Sequence, residues 1–409
     1  MAADPRQQLL KIFLAAVAAV GGRARVSSYL RAHPPAGPVY LIAFGKAACA
    51  MAHGAYEALG DRILSGLVIT KHGSGEPLPW PVLESGHPMP DEASLKAGAR
   101  LIEFAKSIPQ DAQVLVLLSG GASALVEALP VGLGLTQLRE LNRWLLGASL
   151  DIHAMNAIRK RLSLLKGGRL AHLLYPRMVL CLAISDVSGD APRSIGSGPL
   201  VAEPKADIPP LSTGAPAWLA AALQQAPPPP RPDDVCFQNI QFEIVARLDD
   251  AKRAATDAAT ALGYRVAIEP EFVGGDAVEA GARLAHGLLE SDAGVVHVWG
   301  GETTVQLPPQ PGRGGRNQSL ALSAARVLRD QKSAWFLAAG TDGSDGPTED
   351  AGALVDGATV ARGKAHGLDA DAALAKADAG TFLEASGDLV HTGPTGTNVM
   401  DLMLGLKIE

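Results

Sequence analysis

Short apolar runs recur along this chain, and each ends in a turn rich in glycine or aspartate. Residues 39–44 (VYLIAF) run into Gly45-Lys46, and residues 66–70 into Lys71-His72-Gly73. Residues 114–118 run into Ser119-Gly120-Gly121, and residues 178–184 into Ser185-Asp186. An Ala/Leu-rich pattern with helical spacing follows most of them, as at 47–59 and 93–108. Near-continuous apolar strands alternating with helices build a parallel sheet covered on both faces. The alternation resumes with strands at 241–246, 265–268, 294–299 and 334–339, separated by helices at 249–262, 277–289 and 317–329. Segments 381–385, 388–390 and 399–404 close the pattern. Between the two series, residues 224–234 read QQAPPPPRPDD. Four successive prolines favour an extended conformation and exclude a helix interior. They read as a linker, with a long surface loop inside one domain as the alternative. The pattern predicts two α/β domains, 1–235 and 236–409.

Composition excludes several classes. The chain has 409 residues with 36 basic and 42 acidic groups, a net charge of −6. A general nucleic-acid binder is normally basic, and an anionic substrate must here be met by local positive charge. Aromatic residues are only 4%, so Ala, Val, Leu and Ile must fill the cores. The 45 glycines follow no collagen-like period and belong in turns and close-approach loops. Cys49, Cys181 and Cys236 form no CxxC pair, which fits a reducing compartment better than a disulfide framework or a zinc knuckle. Near the N-terminus, Leu9, Leu10, Phe13, Leu14, Val17 and Val20 recur at helical spacing before Gly21-Gly22. This reads as an amphipathic first helix rather than a secretion signal. No stretch has the roughly 18–20 apolar residues of a membrane span. The expectation is a cytoplasmic protein.

In parallel α/β sheets, ligands bind beyond the carboxyl ends of the strands. Glycines there let backbone N–H groups approach a ligand, and a following helix adds partial positive charge. The segment from Ser119 through Gly120 and Gly121 to Ser123 suits an anion, with a plain strand-to-helix turn as the alternative. Lys46 stands at a helix start, where a second positive charge is unfavourable unless an anion joins it. Asp186 and Asp190, in ISDVSGD, suit Mg²⁺ or simple Asx turns. In TDGSDGPT, Asp342 and Asp345 each precede a glycine, a turn signal that also suits metal-nucleotide binding. Arg316, in GRGGRNQ, can clamp a phosphate or carboxylate in bidentate fashion. The chain lacks GxxxxGK[ST], a GxGxxG after a strand, HExxH and GxSxG, and its ten histidines show no metal-ligand spacing. The remaining toolkit of Lys, Arg, Asp and glycine loops fits phosphoryl transfer.

Ten ordered motifs resemble one family. They are FGKAA from Phe44, HPMPDEAS from His87, LLSGGASAL from Leu117, NAIRKRLSLLKGGRLA from Asn156 and ISDVSGD from Ile184. IGSGP from Ile195, GGETTV from Gly300, GGRNQ from Gly314, AAGTDGSDGPT from Ala338 and TGPTGTNVMDL from Thr392 follow. The chain resembles the glycerate 2-kinase family, whose C-terminal part is called the MOFRL domain, from about residue 39 onward. The resemblance implies a Rossmann-like parallel-sheet domain and a C-terminal three-layer mixed-sheet domain with the active site in the cleft between. It implies ATP, Mg²⁺ or another divalent cation, and transfer of the γ-phosphoryl to the 2-hydroxyl of D-glycerate. As partners it implies these small molecules, with no nucleic acid or membrane, in a monomer or homodimer. Members often carry the label hydroxypyruvate reductase, which the missing dinucleotide fingerprint disfavours. An NAD(P)H-dependent hydroxypyruvate reductase and a non-catalytic nucleotide or sugar-acid sensor are the rival readings.

Carried over motif by motif, Lys46, Asp186 and Arg316 are the implied catalytic residues. Ser119, Gly120, Gly121, Ser123, Arg159, Lys160, Gly300, Glu302, Asn317, Thr341, Asp342, Gly343, Thr397 and Asn398 are implied substrate or nucleotide contacts. Asp186, Asp190 and Asp342 are the implied metal ligands. A solvated helix face is the alternative for Arg159 and Lys160. Residues 201–235 carry no recognisable motif.

Overall fold

The apolar runs become strands of two six-stranded sheets, seen in a computed structural model that describes residues 4–147, 150, 152–203, 211 and 214–409. The chain divides into two units, Gly22–Val245 and Met1–Gly21 with Ala246–Glu409.

In the first unit the strands are β1 (Val39–Phe44), β2 (Ile63–Lys71), β3 (Val82–Ser85), β4 (Gln113–Leu118), β5 (Met178–Ile184) and β6 (Ile240–Ala246), in the order β3-β2-β1-β4-β5-β6. The pairs from β3 across to β5 are parallel. Phe44 lies opposite Ile69 and Leu118, and Leu118 opposite Ala183, so the carboxyl ends of four strands are level. The turns picked out in the sequence therefore share one edge, and the strand order reverses between β1 and β4. Ile42, Phe44, Leu67, Ile69, Val116 and Leu118 bury their side chains against Leu101 and Phe104 of the helix Glu92–Ser107. That helix starts at a capping box, in which Asp91 accepts from Ser94 N at 2.9 Å and Ser94 Oγ accepts from Asp91 N at 3.1 Å.

The second unit holds β7 (Arg265–Val273), β8 (Val295–Gly301), β9 (Ala334–Gly340), β10 (Gly352–Asp356), β11 (Leu389–Val390) and β12 (Asp401–Lys407), in the order β11-β10-β9-β12-β8-β7. Only β7 and β8 pair in parallel; the other pairs are antiparallel. Because β12 runs against both neighbours, its first residue, Asp401, lies opposite Gly301 and Gly340, the last residues of β8 and β9. Trp299, Phe336 and Met403 pack with Leu284, Leu320 and Phe382 in this unit's core.

The observed division departs from the expected boundary at 235/236 in three ways. First, β6 joins the first sheet beside β5, so the change of unit falls at the last residue of this strand, between Val245 and Ala246. Second, the prolines at 227–230 are not an inter-domain linker. They lie along the first unit, where Arg169 Nη2 donates to Pro227 O at 2.7 Å and Leu164 and Leu173 line the same groove. The surface-loop alternative holds, because Arg169 and this apolar groove bind the extended prolines to the unit that precedes them. Of residues 201–235, 204–210, 212 and 213 lie outside the described residues. Third, the first helix, Pro5–Ala19, packs on the helix Leu248–Ala261 and on β12 of the second unit. Asp4 caps it, accepting from Arg6 N at 3.1 Å, and Leu9, Ile12, Phe13, Ala16 and Val17 are buried. Arg6 then reaches the buried Asp388 at 2.8 Å. No helix among the described residues is long and apolar enough to cross a membrane.

Candidate functional site

At the reversal of strand order in the first unit, two loops are stitched together. Lys46 N donates to Gly120 O at 2.8 Å, Ala47 N to Ser119 Oγ at 3.0 Å, and Ser119 N to Phe44 O at 3.2 Å. Gly45 has φ +130°, and a Cβ there would lie 2.2 Å from Ser119 Oγ, so only glycine lets the loops meet this closely. Ser119 is fully buried and supports the helix Ala48–Leu59 by accepting a hydrogen bond at its start. Gly121 sits between Lys46 and His87: a side chain on it would be 3.0 Å from Lys46 Cγ and 3.0 Å from His87 Cδ2. Ser123 Oγ lies 2.6 Å from Ser197 Oγ of the IGSGP turn. Asp186 and Asp190 stand in the loop after β5, and Asp190 has φ +52°. Lys46 and the Ser119–Ser123 turn are thus brought together, joined by His87 and Ser197. Sequence reasoning quoted these last two inside motifs but gave them no role.

The basic segment has internal partners. Lys160 Nζ donates to Arg193 O at 2.9 Å and pairs with Glu203. Arg159 Nε donates to Asn142 Oδ1 at 3.3 Å, and burial pulls its pKa down. Lys166 and Glu127 form a buried pair that Ser163 Oγ joins at 2.6 Å from Glu127. Neither Arg159 nor Lys160 lies on a merely solvated face.

In the second unit, Arg316 begins the helix Arg316–Val327. Its Nε and Nη2 donate to the two oxygens of Asp401 at 2.5 and 3.0 Å, and Nη1 lies 3.0 Å from Glu302 Oε1. Burial lowers the pKa of Arg316, but the Asp401 charge and hydrogen bonds and Glu302 outweigh it, and the net shift is upward. The guanidinium is therefore charged and held in a fixed plane. Asp401, fully buried at the start of β12, is the residue sequence reasoning missed. Its signal was an acid heading an otherwise apolar run, MDLML. Asp345 caps the same helix, accepting from Asn317 N at 3.1 Å and Gln318 N at 2.8 Å. Burial pushes its carboxyl up to about 7, against those N–H bonds and the Arg316 charge.

Around this pair the loops after β9 and before β12 interlock. Thr341 Oγ1 donates to Met400 O at 2.6 Å and accepts from Val399 N at 2.9 Å, and Thr395 Oγ1 donates to Thr341 O at 2.6 Å. Asp342 Oδ1 accepts from Ser344 N at 2.9 Å and Ser344 Oγ at 3.1 Å, an Asx turn. Asn398 Oδ1 accepts from Met400 N at 3.4 Å, and Thr397 Oγ1 donates to Val20 O at 2.7 Å. Two glycines expected at ligands have packing duties. A Cβ on Gly300 would lie 2.8 Å from Leu248 Cδ1, and one on Gly343 2.1 Å from Gly393 O. Asn317 is fully buried, with Nδ2 3.4 Å from Asp345. Glu302, Arg316, Thr341, Asp342 and Asn398 share one sheet edge, while Asn317, Thr397 and Gly300 hold that edge together from within.

Loops gathered at the carboxyl ends of two α/β sheets, with fixed cations among carboxylates, define a two-unit α/β protein built to handle small anionic ligands. Residues 8–212 match the family described as "Domain of unknown function (DUF4147)", and residues 295–401 match the MOFRL family. A Thermotoga maritima protein named D-glycerate 2-kinase is 37% identical over 90% of this chain and 91% of its own length. A Pyrococcus horikoshii protein named glycerate 2-kinase is 34% identical over 90% of this chain and 87% of its own. An Agrobacterium vitis protein named putative hydroxypyruvate reductase is 37% identical over 97% and 93%. The crystal structure of the Thermotoga maritima glycerate kinase superposes with a TM-score of 0.84 at 34% identity, covering 98% of this chain and 99% of that one. The chain belongs to the glycerate kinase family with DUF4147 and MOFRL domains.

Proposed function

We propose that this protein transfers the γ-phosphoryl group of ATP to the 2-hydroxyl of D-glycerate, giving 2-phosphoglycerate and ADP. One observation carries the reading: 37% identity over 90% of the chain to a protein named D-glycerate 2-kinase. The site chemistry agrees with it. Phosphoryl transfer depends on positioning and on neutralising charge over the transferring group. Arg316, aimed by Asp401 and Glu302, supplies a preorganised cation whose geometry need not change during reaction. Lys46, packed beside Gly121 and His87, supplies the second. The Ser119–Ser123 turn binds an anionic group of substrate or nucleotide, and Asp186 orients the attacking hydroxyl.

The divalent cation expected with ATP is Mg²⁺, which takes oxygen ligands. Asp186 and Asp190 in the first unit, and Asp342 in the second, offer the oxygen donors such an ion takes. When bound, the ion neutralises phosphate charge. The same reading places the protein in the cytoplasm, as a monomer or homodimer, with small-molecule partners and no nucleic acid.

A coupled assay for ADP formation with D-glycerate and Mg²⁺ is the test. Glycerate-dependent ADP is expected, and its absence from folded protein refutes the proposal. Hydroxypyruvate with NADH is the control for the name carried by the Agrobacterium vitis relatives. No NADH oxidation is expected, because no GxGxxG follows a strand.

A further inference from the structure

Away from both loop edges, the first unit brings one side chain beside two others that lie far along the sequence from it. His172 lies in the short helix Arg169–Leu174, and Asp234 and Cys236 flank the start of the 3₁₀ turn Val235–Phe237. An imidazole nitrogen, a carboxylate oxygen and the Cys236 sulfur all lie within 4.8 Å of one another. We propose that His172, Asp234 and Cys236 form a site for a thiolate-binding divalent cation of the zinc class, separate from the Mg²⁺ expected with ATP.

Four observations support it. The donor set is one nitrogen, one hard oxygen and one soft sulfur, the mixture Zn²⁺ accepts and Mg²⁺ does not. The ligand-bearing elements are fixed. Asp234 Oδ1 accepts from Cys236 N at 3.0 Å, and Phe237 fills the space beside Gly168, where a Cβ would be 2.7 Å from its ring. Arg169, next to that glycine, donates to Lys160 O at 2.9 Å and Pro227 O at 2.7 Å, which holds the helix against the proline segment. The Cys236 sulfur lies within 4.8 Å of an Asp234 carboxylate oxygen, so one cation can take both as ligands at once. Last, His172 and Asp234 line an open groove of about 520 Å³ with Lys106, Arg231 and the prolines 227–230, so the ion has an entry path and room for a fourth ligand such as water.

Charge and protons balance. Each ion bound displaces one proton from Cys236 to solvent, and the thiolate and Asp234 carboxylate together neutralise a divalent cation. Three protein ligands and one open position give the tetrahedral arrangement usual for zinc. The ion would clip the helix Arg169–Leu174 to the turn that leads into β6. It would thereby close the stretch of chain between them that carries the proline segment.

Titration with Co²⁺ alone tests the proposal. One equivalent should produce a near-ultraviolet thiolate-to-cobalt band together with visible bands of tetrahedral intensity, and one equivalent of Zn²⁺ should bleach both. Cys236→Ser should abolish the near-ultraviolet band, whereas Cys49→Ser should keep it. His172→Ala, an exposed position safe for folding, should weaken Co²⁺ binding more than about tenfold. Absence of a thiolate band at one equivalent overturns the proposal. So does a band that survives in Cys236→Ser, or unchanged affinity in His172→Ala.

Discussion

Asp401→Asn is the most direct test of how Arg316 is aimed. The substitution keeps the shape of the side chain but removes its charge, and turns one acceptor oxygen into an NH₂ facing a guanidinium donor. Asp401 is fully buried, and the Arg316 side chain is 34% exposed. Breaking a fully buried pair costs about 3–5 kcal/mol. Solvent at the exposed part of Arg316 screens some of this, so about 2–3 kcal/mol is expected. At about 2–4 °C per kcal/mol, the melting temperature should fall by about 4–12 °C. Activity should fall further than stability. With one uncharged acceptor oxygen and Glu302 left to hold it, the guanidinium can move by an ångström or more, and such misplacement costs about a hundredfold in kcat. Thermal unfolding followed by circular dichroism, with ADP formation measured well below the new transition, separates the two effects. A variant that melts within 1 °C of the parent (about 0.3–0.5 kcal/mol) and turns over at the parent rate would show that Asp401 does not position Arg316.

Lys46→Ala should lower kcat by about a hundredfold or more with little change in melting temperature; a near-parent rate in the coupled assay would remove Lys46 from the chemistry. The folded-state pKa of Asp345 is raised to about 7 from an ordinary 3.8, so the native state binds the extra proton. Its contribution therefore favours the native state at low pH and is lost as pH rises from about 3.8 to about 7. Asp345→Asn mimics the protonated acid, keeping one acceptor oxygen for the N–H groups of Asn317 and Gln318 and removing the charge, so it should be near-neutral at pH 5 and stabilising at pH 8 in urea titrations, and the opposite order would contradict the buried-acid account. Phe13→Ala empties a fully buried position under the first helix and should cost about 3–5 kcal/mol, read as a loss of amide protection in residues 246–409 by hydrogen exchange. Loss confined to residues 22–245 would contradict the assignment of this helix.

The elements that depend on local chain chemistry were legible in the residues. Strand β1 could be read at its exact bounds, because an apolar run ending in Gly45 is a local signal. The helix beginning at Arg316 was legible to within a residue at its start and two at its end, from its glycines and periodicity. The short strands β3 and β10 were not. Val82–Ser85 lies between prolines and Gly352–Asp356 follows a turn cluster, and neither is long enough to show a period. At the candidate site, the loops were found because glycine, lysine and aspartate at strand ends have few structural reasons to cluster. Their internal contacts were not. Gly300 and Gly343 look alike in sequence to a ligand-contacting glycine, yet each is required by a neighbour distant in the chain, Leu248 and Gly393.

Local pattern and motif order were enough for the α/β class, the glycine- and aspartate-rich turns at the strand ends and the kinase family. They could not say which strand lies beside which, because every strand offers the same backbone donors and acceptors. That β6 joins the first sheet, that β12 runs between β8 and β9, and that the first helix belongs with residues 246–409 follow from burial satisfied across long sequence separations. The pairing of Arg316 with Asp401 and the meeting of His172 with Asp234 and Cys236 have the same origin. Charge and ligand chemistry act over a few ångströms in space, and only the folded chain brings those residues within reach of one another.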